Sequence, residues 1–130
     1  MCQLFIHADP TLWQSSTRSL RIDGVVTSIR LESYFWQILD EIALRDGMNV
    51  TQLITKLYLE SLDADHDISN FTSFLRVCCA RFLSLLADGH LQREPLQALE
   101  EVDAKQLMHS EAQDMQRRAL WQLPSKPEQH

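Results

Sequence analysis

The sequence predicts a mainly α-helical chain that opens with a short β-ribbon. Two observations carry this expectation. On both sides of Asp23-Gly24, residues suited to a buried face alternate with polar ones: Leu20 and Ile22 before the turn, Thr27, Ile29 and Leu31 after it. From Ser33 onward, apolar residues recur instead at intervals of three and four. A period of two marks a half-buried strand, and a period near 3.6 marks an amphipathic helix.

Taken in order, residues 1–15 ("MCQLFIHADPTLWQS") mix apolar and polar side chains around Asp9-Pro10 and are expected to form a short extended or capping segment. Asp23-Gly24 is a two-residue hairpin signal. The second strand turns Ile29 and Leu31 to its apolar face and Val26, Ser28 and Arg30 to the other. A helix begins near Ser33 with the stripe Phe35, Ile38, Leu39 and Ile42. Asp46-Gly47 ends it, because Gly47 suits the left-handed conformation that follows a helix. Asn49 suits the cap of the next helix, its side-chain oxygen accepting a backbone N–H of the first turn. Val50, Leu53, Ile54, Leu57, Tyr58 and Leu62 form that helix's stripe, and "DADHD" (63–67) is a polar break. A third helix is expected over 71–87, capped by Asn70 or Thr72. Phe74, Leu75, Val77, Cys78, Phe82, Leu85 and Leu86 surround more than one of its faces, which predicts a central helix. Phe35, Trp36 and Phe74 read as core. Beyond Gly89 the chain turns polar, with weak helical stripes starting at Pro95 and Asp103 and a frayed tail, "PSKPEQH". The expected organisation is an extension over 1–16, a domain over 17–88, and a polar helical region over 89–130.

The 130 residues fit one domain with a tail. The net charge of −6, from 12 basic and 18 acidic residues, argues against bulk electrostatic binding of nucleic acid or anionic membrane. Residues 15–31 nevertheless hold Arg18, Arg21 and Arg30 against Asp23 alone, a local basic face. The three cysteines, Cys2 and the vicinal Cys78 and Cys79, are an odd set that fits a reducing compartment. With no secretory signal and no apolar run of about 18 residues, the expectation is a cytoplasmic protein without a membrane partner.

Catalytic and metal chemistries find little support. "MCQLF" resembles the opening of amidotransferases with an N-terminal cysteine nucleophile. That chemistry needs an oxyanion hole and a substrate pocket on a large layered sheet, for which this chain has no room. Cys78 and Cys79 lie on an apolar helix, where cysteine acts as a small apolar residue. Asp63, Asp65 and Asp67 open like a calcium loop, but Ile68 and Phe74 stand where Gly and Glu are needed. The histidines at 7, 66, 90, 109 and 130 form no zinc spacing with a cysteine. No phosphate-binding glycine loop or serine elbow is present. No catalytic residue, cofactor or metal is expected.

A short strand, an amphipathic helix, a glycine turn and a second helix form a recognisable order. "TSIRLESYFWQILDEIALRDGMNVTQLITKLYLESL" (27–62) resembles the ribbon-helix-helix domain along its whole length, including the Asn49-Val50-Thr51 opening of the second helix. The longer stretch 17–82 is similar to a bacterial subgroup of these domains. The resemblance implies a ribbon-helix-helix homodimer, here extended by a leading strand and a third helix. In that family, strands from two chains pair and the helices share one core. The ribbon then enters the major groove of double-stranded DNA. Val26, Ser28 and Arg30 would face the bases, and the amides of Val50 and Thr51, behind Asn49, would hold a phosphate. Arg18 and Arg21 would contact phosphates or pair with Asp23 and other acids. Two departures stand out: the leading strand would add outer strands to the ribbon, and Glu32 sits beside Arg30. The function implied is a small bacterial transcriptional regulator. The alternative is a protein-interaction module of antitoxin or adaptor type, with the acidic 94–114 segment as the arm that binds another protein.

Overall fold

The computed structural model describes residues 2–64, 70–94 and 98–122. The chain divides into two compact units, Met1–Phe82 and Leu83–His130.

The first unit begins with a single helical turn, α1 (Cys2–Ile6), followed by a 3-10 helix over Pro10–Trp13. The leading segment is therefore helical rather than extended. Asp9 starts the 3-10 turn by accepting from the Thr11 amide at 3.0 Å, and Pro10 supplies a preset φ behind it. That bond also holds the Asp9 carboxyl below its ordinary value. α1 buries nothing, and Leu4, Phe5 and Ile6 remain exposed.

β1 (Ser15–Ile22) and β2 (Val25–Glu32) form an antiparallel hairpin. Asp23 and Gly24 both have positive φ, 51° and 81°, as a two-residue hairpin turn of the favoured hand requires. β1 of the same chain therefore pairs with one edge of β2, as the Asp23-Gly24 signal predicted. The aspartate-glycine loop brings the two strands together locally, and the period-two pattern then fixes the register. Leu20, Ile22, Ile29 and Leu31 face inward and are buried.

β2 passes into α2 (Ser33–Arg45) with no loop. The junction is held from outside: the Ser33 amide and hydroxyl both donate to the Gln14 carbonyl, at 2.8 and 3.0 Å. Trp36, Ile38, Leu39 and Ile42 are buried on the face toward the ribbon core. Trp36 is 1% exposed, and its indole N–H donates to the Ser16 carbonyl at 3.0 Å. α2 ends in a Schellman turn: Gly47, at φ 68°, donates to Leu44, and Met48 donates back to Ala43.

α3 (Val50–Asp63) starts with a full capping box. Asn49 accepts from the Gln52 amide at 2.8 Å, and Gln52 accepts from the Asn49 amide at 2.9 Å. Leu53 and Ile54 are buried, but Leu62 of the expected stripe is exposed and Ser61 is buried instead. Ser61 lies two turns beyond Ile54, on the same side, whereas Leu62 has rotated off it. Of the polar break at 63–67, residues 65–67 lie outside the described residues, and so does the middle of the rejected calcium loop.

α4 (Phe71–Ala87) matches the expected span. It is not enclosed, however. Leu75, Cys79 and Phe82 make one buried stripe, while Phe74 and Val77 remain 40% and 55% exposed. Phe74 stacks on Phe71 at 5.6 Å rather than entering the core.

In the second unit, α5 (Ala104–Trp121) is capped by Asp103, which accepts from the Gln106 amide at 3.2 Å. Pro95 and the tail from residue 123 lie outside the described residues.

Candidate nucleic-acid interface

The hairpin register sorts its side chains without ambiguity. Opposed residues of an antiparallel pair project to the same face. Thr17 lies opposite Arg30, Ser19 opposite Ser28, and Arg21 opposite Val26. All six are exposed. The Ser19 and Ser28 hydroxyls approach to 3.5 Å at the middle of this face. Val26, Ser28 and Arg30 thus share one outer surface with three residues of β1. Thr17 and Ser19 are absent from the sequence reading, because their place on this face depends on the register and not on residue type.

The three arginines divide. Arg21 and Arg30 belong to the outer face, but Arg18, opposite Ile29, belongs to the inner one. Its guanidinium lies 4.4 Å from the Trp36 ring centroid and 3.4 Å from an Asp40 carboxylate oxygen. Arg18 thus shields the indole and pairs with an acid of α2. Arg21 donates to the Gly24 carbonyl at 3.4 Å across the turn.

Arg21 also lines a shallow groove with Thr51, Gln52, Thr55, Lys56 and Glu60 of α3. This groove joins the turn end of the ribbon to the start of α3. The capping box uses the amides of Asn49 and Gln52, and among the described residues the amides of Val50 and Thr51 have no acceptor. Those two N–H groups carry the partial positive charge of the helix N-terminus. Lys56 was not singled out by sequence, although its spacing of four from Gln52 places both on one helix face.

Glu32, which the sequence sets beside Arg30, is engaged by α4. Arg76 of α4 donates to both of its carboxylate oxygens at 2.8–3.1 Å. These hydrogen bonds lower the Glu32 carboxyl from its ordinary value and raise Arg76.

The cysteines are poorly placed for chemistry. Burial pushes the Cys79 thiol up to about 12, with Cys78 beside it adding to the effect. Burial also raises Cys78, against a smaller opposing pull from Arg81. Both therefore stay protonated and unreactive near neutrality. Cys2 is exposed. Asp88, His90 and Asp114 of the second unit bring one ligand atom each within 4.8 Å of one another. Arg118 binds Asp88, while Arg117 and His90 bind Asp114. The arginines offset the negative charge that would attract a cation, and they hold the Asp88 carboxyl low. Among the described residues, no helix is long and apolar enough to cross a membrane.

Comparison with known proteins agrees with this geometry. No curated protein sequence matches the chain. A solved structure, that of an uncharacterized protein from Bordetella pertussis Tohama I, is similar with a TM-score of 0.78 and 47% identity, over 82% of this chain and 86% of that one. The model of the ribbon-helix-helix domain matches residues 15–83, from the first residue of the hairpin into α4. The chain belongs to the ribbon-helix-helix domain family, a fold family of DNA-binding regulators.

Proposed function

We propose that the protein is a sequence-specific DNA-binding regulator of bacterial transcription, acting as a homodimer in the cytoplasm through the domain at 17–88. The supporting observation is the outer face of the hairpin, which carries Arg30, Ser28 and Val26 uncovered by any part of the first unit. A two-stranded ribbon fits the major groove, where an arginine can bond guanine through two acceptors and a serine can donate or accept. Arg21, Lys56 and the amides of Val50 and Thr51 suit the flanking phosphates. Glu32 sits next to this face, but its charge is matched by Arg76. Dimerisation draws on the apolar side chains that the first unit leaves in water. Leu44 is 69% exposed and Val77 55%. Exposed apolar surface of this kind commonly marks an association site.

The test is retention of random-sequence duplexes at two salt concentrations, with Arg30→Ala in parallel. Binding that weakens with salt and loses sequence preference in the variant supports the reading. A folded protein that retains no duplex would transfer these surfaces to a protein partner.

A further inference from the structure

Residues two apart on a strand project to the same side. The column that holds Val26, Ser28 and Arg30 therefore continues to Glu32, the last residue of β2, which lies opposite the exposed Ser15. At a rise of about 3.3 Å per residue, the Cα atoms of Arg30 and Glu32 stand about 7 Å apart. A carboxylate so placed acts on any phosphate near Arg30, because the screening length is about 10 Å at 0.1 M salt.

Glu32 does not escape this by taking up a proton. The bonds from Arg76 hold its carboxyl below the ordinary value, so it is ionised at neutral pH. Its charge is instead countered where it stands. Both carboxylate oxygens accept from Arg76 at 2.8–3.1 Å, a forked contact that fixes the orientation of each group. Arg76 belongs to α4, the helix added after the strand, helix, turn and helix. A second tie lies close by: the Cys79 thiol, three residues beyond Arg76, donates at 3.6 Å to the carbonyl of Phe35, three residues beyond Glu32. α4 is thus anchored to the strand–helix junction where its arginine meets the acid.

We propose that Arg76 is a positioning residue for DNA binding, which neutralises Glu32 and holds its carboxylate against α4, so that the docking of α4 controls the affinity of the ribbon face for duplex. This rests on the DNA-binding reading above and adds a control to it. With α4 in place, the outer column ends in a neutral pair. With α4 displaced, it ends in an uncompensated negative charge beside Arg30, and phosphates are repelled.

The experiment measures affinity of the full chain for random-sequence duplex at low and high salt, with Glu32→Gln, Arg76→Ala and the double variant beside wild type. At low salt, Arg76→Ala should bind about three- to ten-fold more weakly than wild type. Glu32→Gln, which leaves Arg76 unopposed, should bind more tightly, and the double variant should return to about the wild-type level. These differences should shrink at high salt. Unfolding curves should follow another order, since every variant loses the forked ion pair and the double variant stays less stable than wild type. Restored affinity without restored stability is the result a merely structural role would not give. Weak binding that persists in the double variant, or Glu32→Gln binding no tighter than wild type, would overturn the proposal and leave the regulator reading intact. No retention of duplex by wild type would overturn both.

Discussion

Arg76 of α4 grips both carboxylate oxygens of Glu32, the residue at which β2 becomes α2, with its Nε at 3.0 and 3.1 Å and one terminal nitrogen at 2.8 Å. A forked, charge-assisted contact of this kind is stronger and more directional than a single bond. It ties the third helix to the strand–helix junction. Both side chains keep some exposure, 38% for Arg76 and 24% for Glu32, so solvent screens part of the attraction. Arg76→Ala is expected to lower the unfolding free energy by about 1 kcal/mol at neutral pH. The bonds from Arg76 depress the folded-state Glu32 carboxyl. Its stabilisation is therefore complete above the unfolded carboxyl value and disappears as pH falls through the lower folded one. Urea midpoints at pH 7 and pH 3 check this: the gap between wild type and variant should narrow in acid. An unchanged gap at pH 3 would assign the loss to the packing of the arginine stem.

Trp36 is the largest fully buried side chain of the core. Its indole N–H satisfies the Ser16 carbonyl, and Arg18 covers its face. Trp36→Ala should destabilise by about 3–5 kcal/mol, since it empties a large volume in a small core. Trp36→Phe keeps most of the ring volume but leaves the Ser16 carbonyl without its donor, which adds roughly 1 kcal/mol to the lost packing. Equilibrium urea unfolding separates the two. Equal losses would mean that the Ser16 bond contributes most of the tryptophan's effect.

The local chemistry of the fold was legible in the sequence. Asp23-Gly24, Gly47 and Asn49 each encode a conformation or bond that depends on immediate neighbours, and each takes the expected role. The outer-face position of Val26, Ser28 and Arg30 followed from period two alone. What was not legible depends on residues distant in the chain. Nothing in the sequence pairs Glu32 with Arg76, 44 positions away. Nor does anything there set Arg18 over Trp36, or bring His90 to Asp114. The apolar surplus on α4 suggested an enclosed helix, yet composition cannot say whether an apolar side chain meets its own chain or faces outward.

The division of the arginines yields a contrast within one strand pair. Arg30→Ala should weaken duplex binding about ten- to a hundred-fold, the range of one good arginine–guanine contact, and leave stability nearly unchanged. Arg18→Ala should do the opposite. It removes a cation–π contact and an exposed ion pair, worth together about 1 kcal/mol of folding stability, and it leaves duplex affinity at the wild-type level. Titrations followed by fluorescence anisotropy, with unfolding curves on the same samples, measure both quantities. Loss of affinity in Arg18→Ala would place the inner face of the ribbon in contact with DNA.

Asn49 stands where stability and binding can be separated. Its side chain accepts from the Gln52 amide and completes the capping box, while the neighbouring amides of Val50 and Thr51 point their partial charge outward. Asn49→Ala should destabilise the fold by about 1 kcal/mol through loss of the cap alone. Asn49→Asp should retain the cap, because aspartate is as good an N-cap as asparagine and its charge is favoured at a helix N-terminus. If a DNA phosphate occupies that same position, the added carboxylate repels it. One charge at contact distance in water amounts to about 1 kcal/mol, or about five-fold in affinity. The loss should shrink as added salt screens the repulsion. Asn49→Asp is therefore expected to unfold like wild type and to bind duplex more weakly at low salt than at high salt, each relative to wild type under the same conditions. A variant that is fully stable and binds as tightly as wild type at low salt would remove the start of α3 from the interface and leave the ribbon as the whole of it.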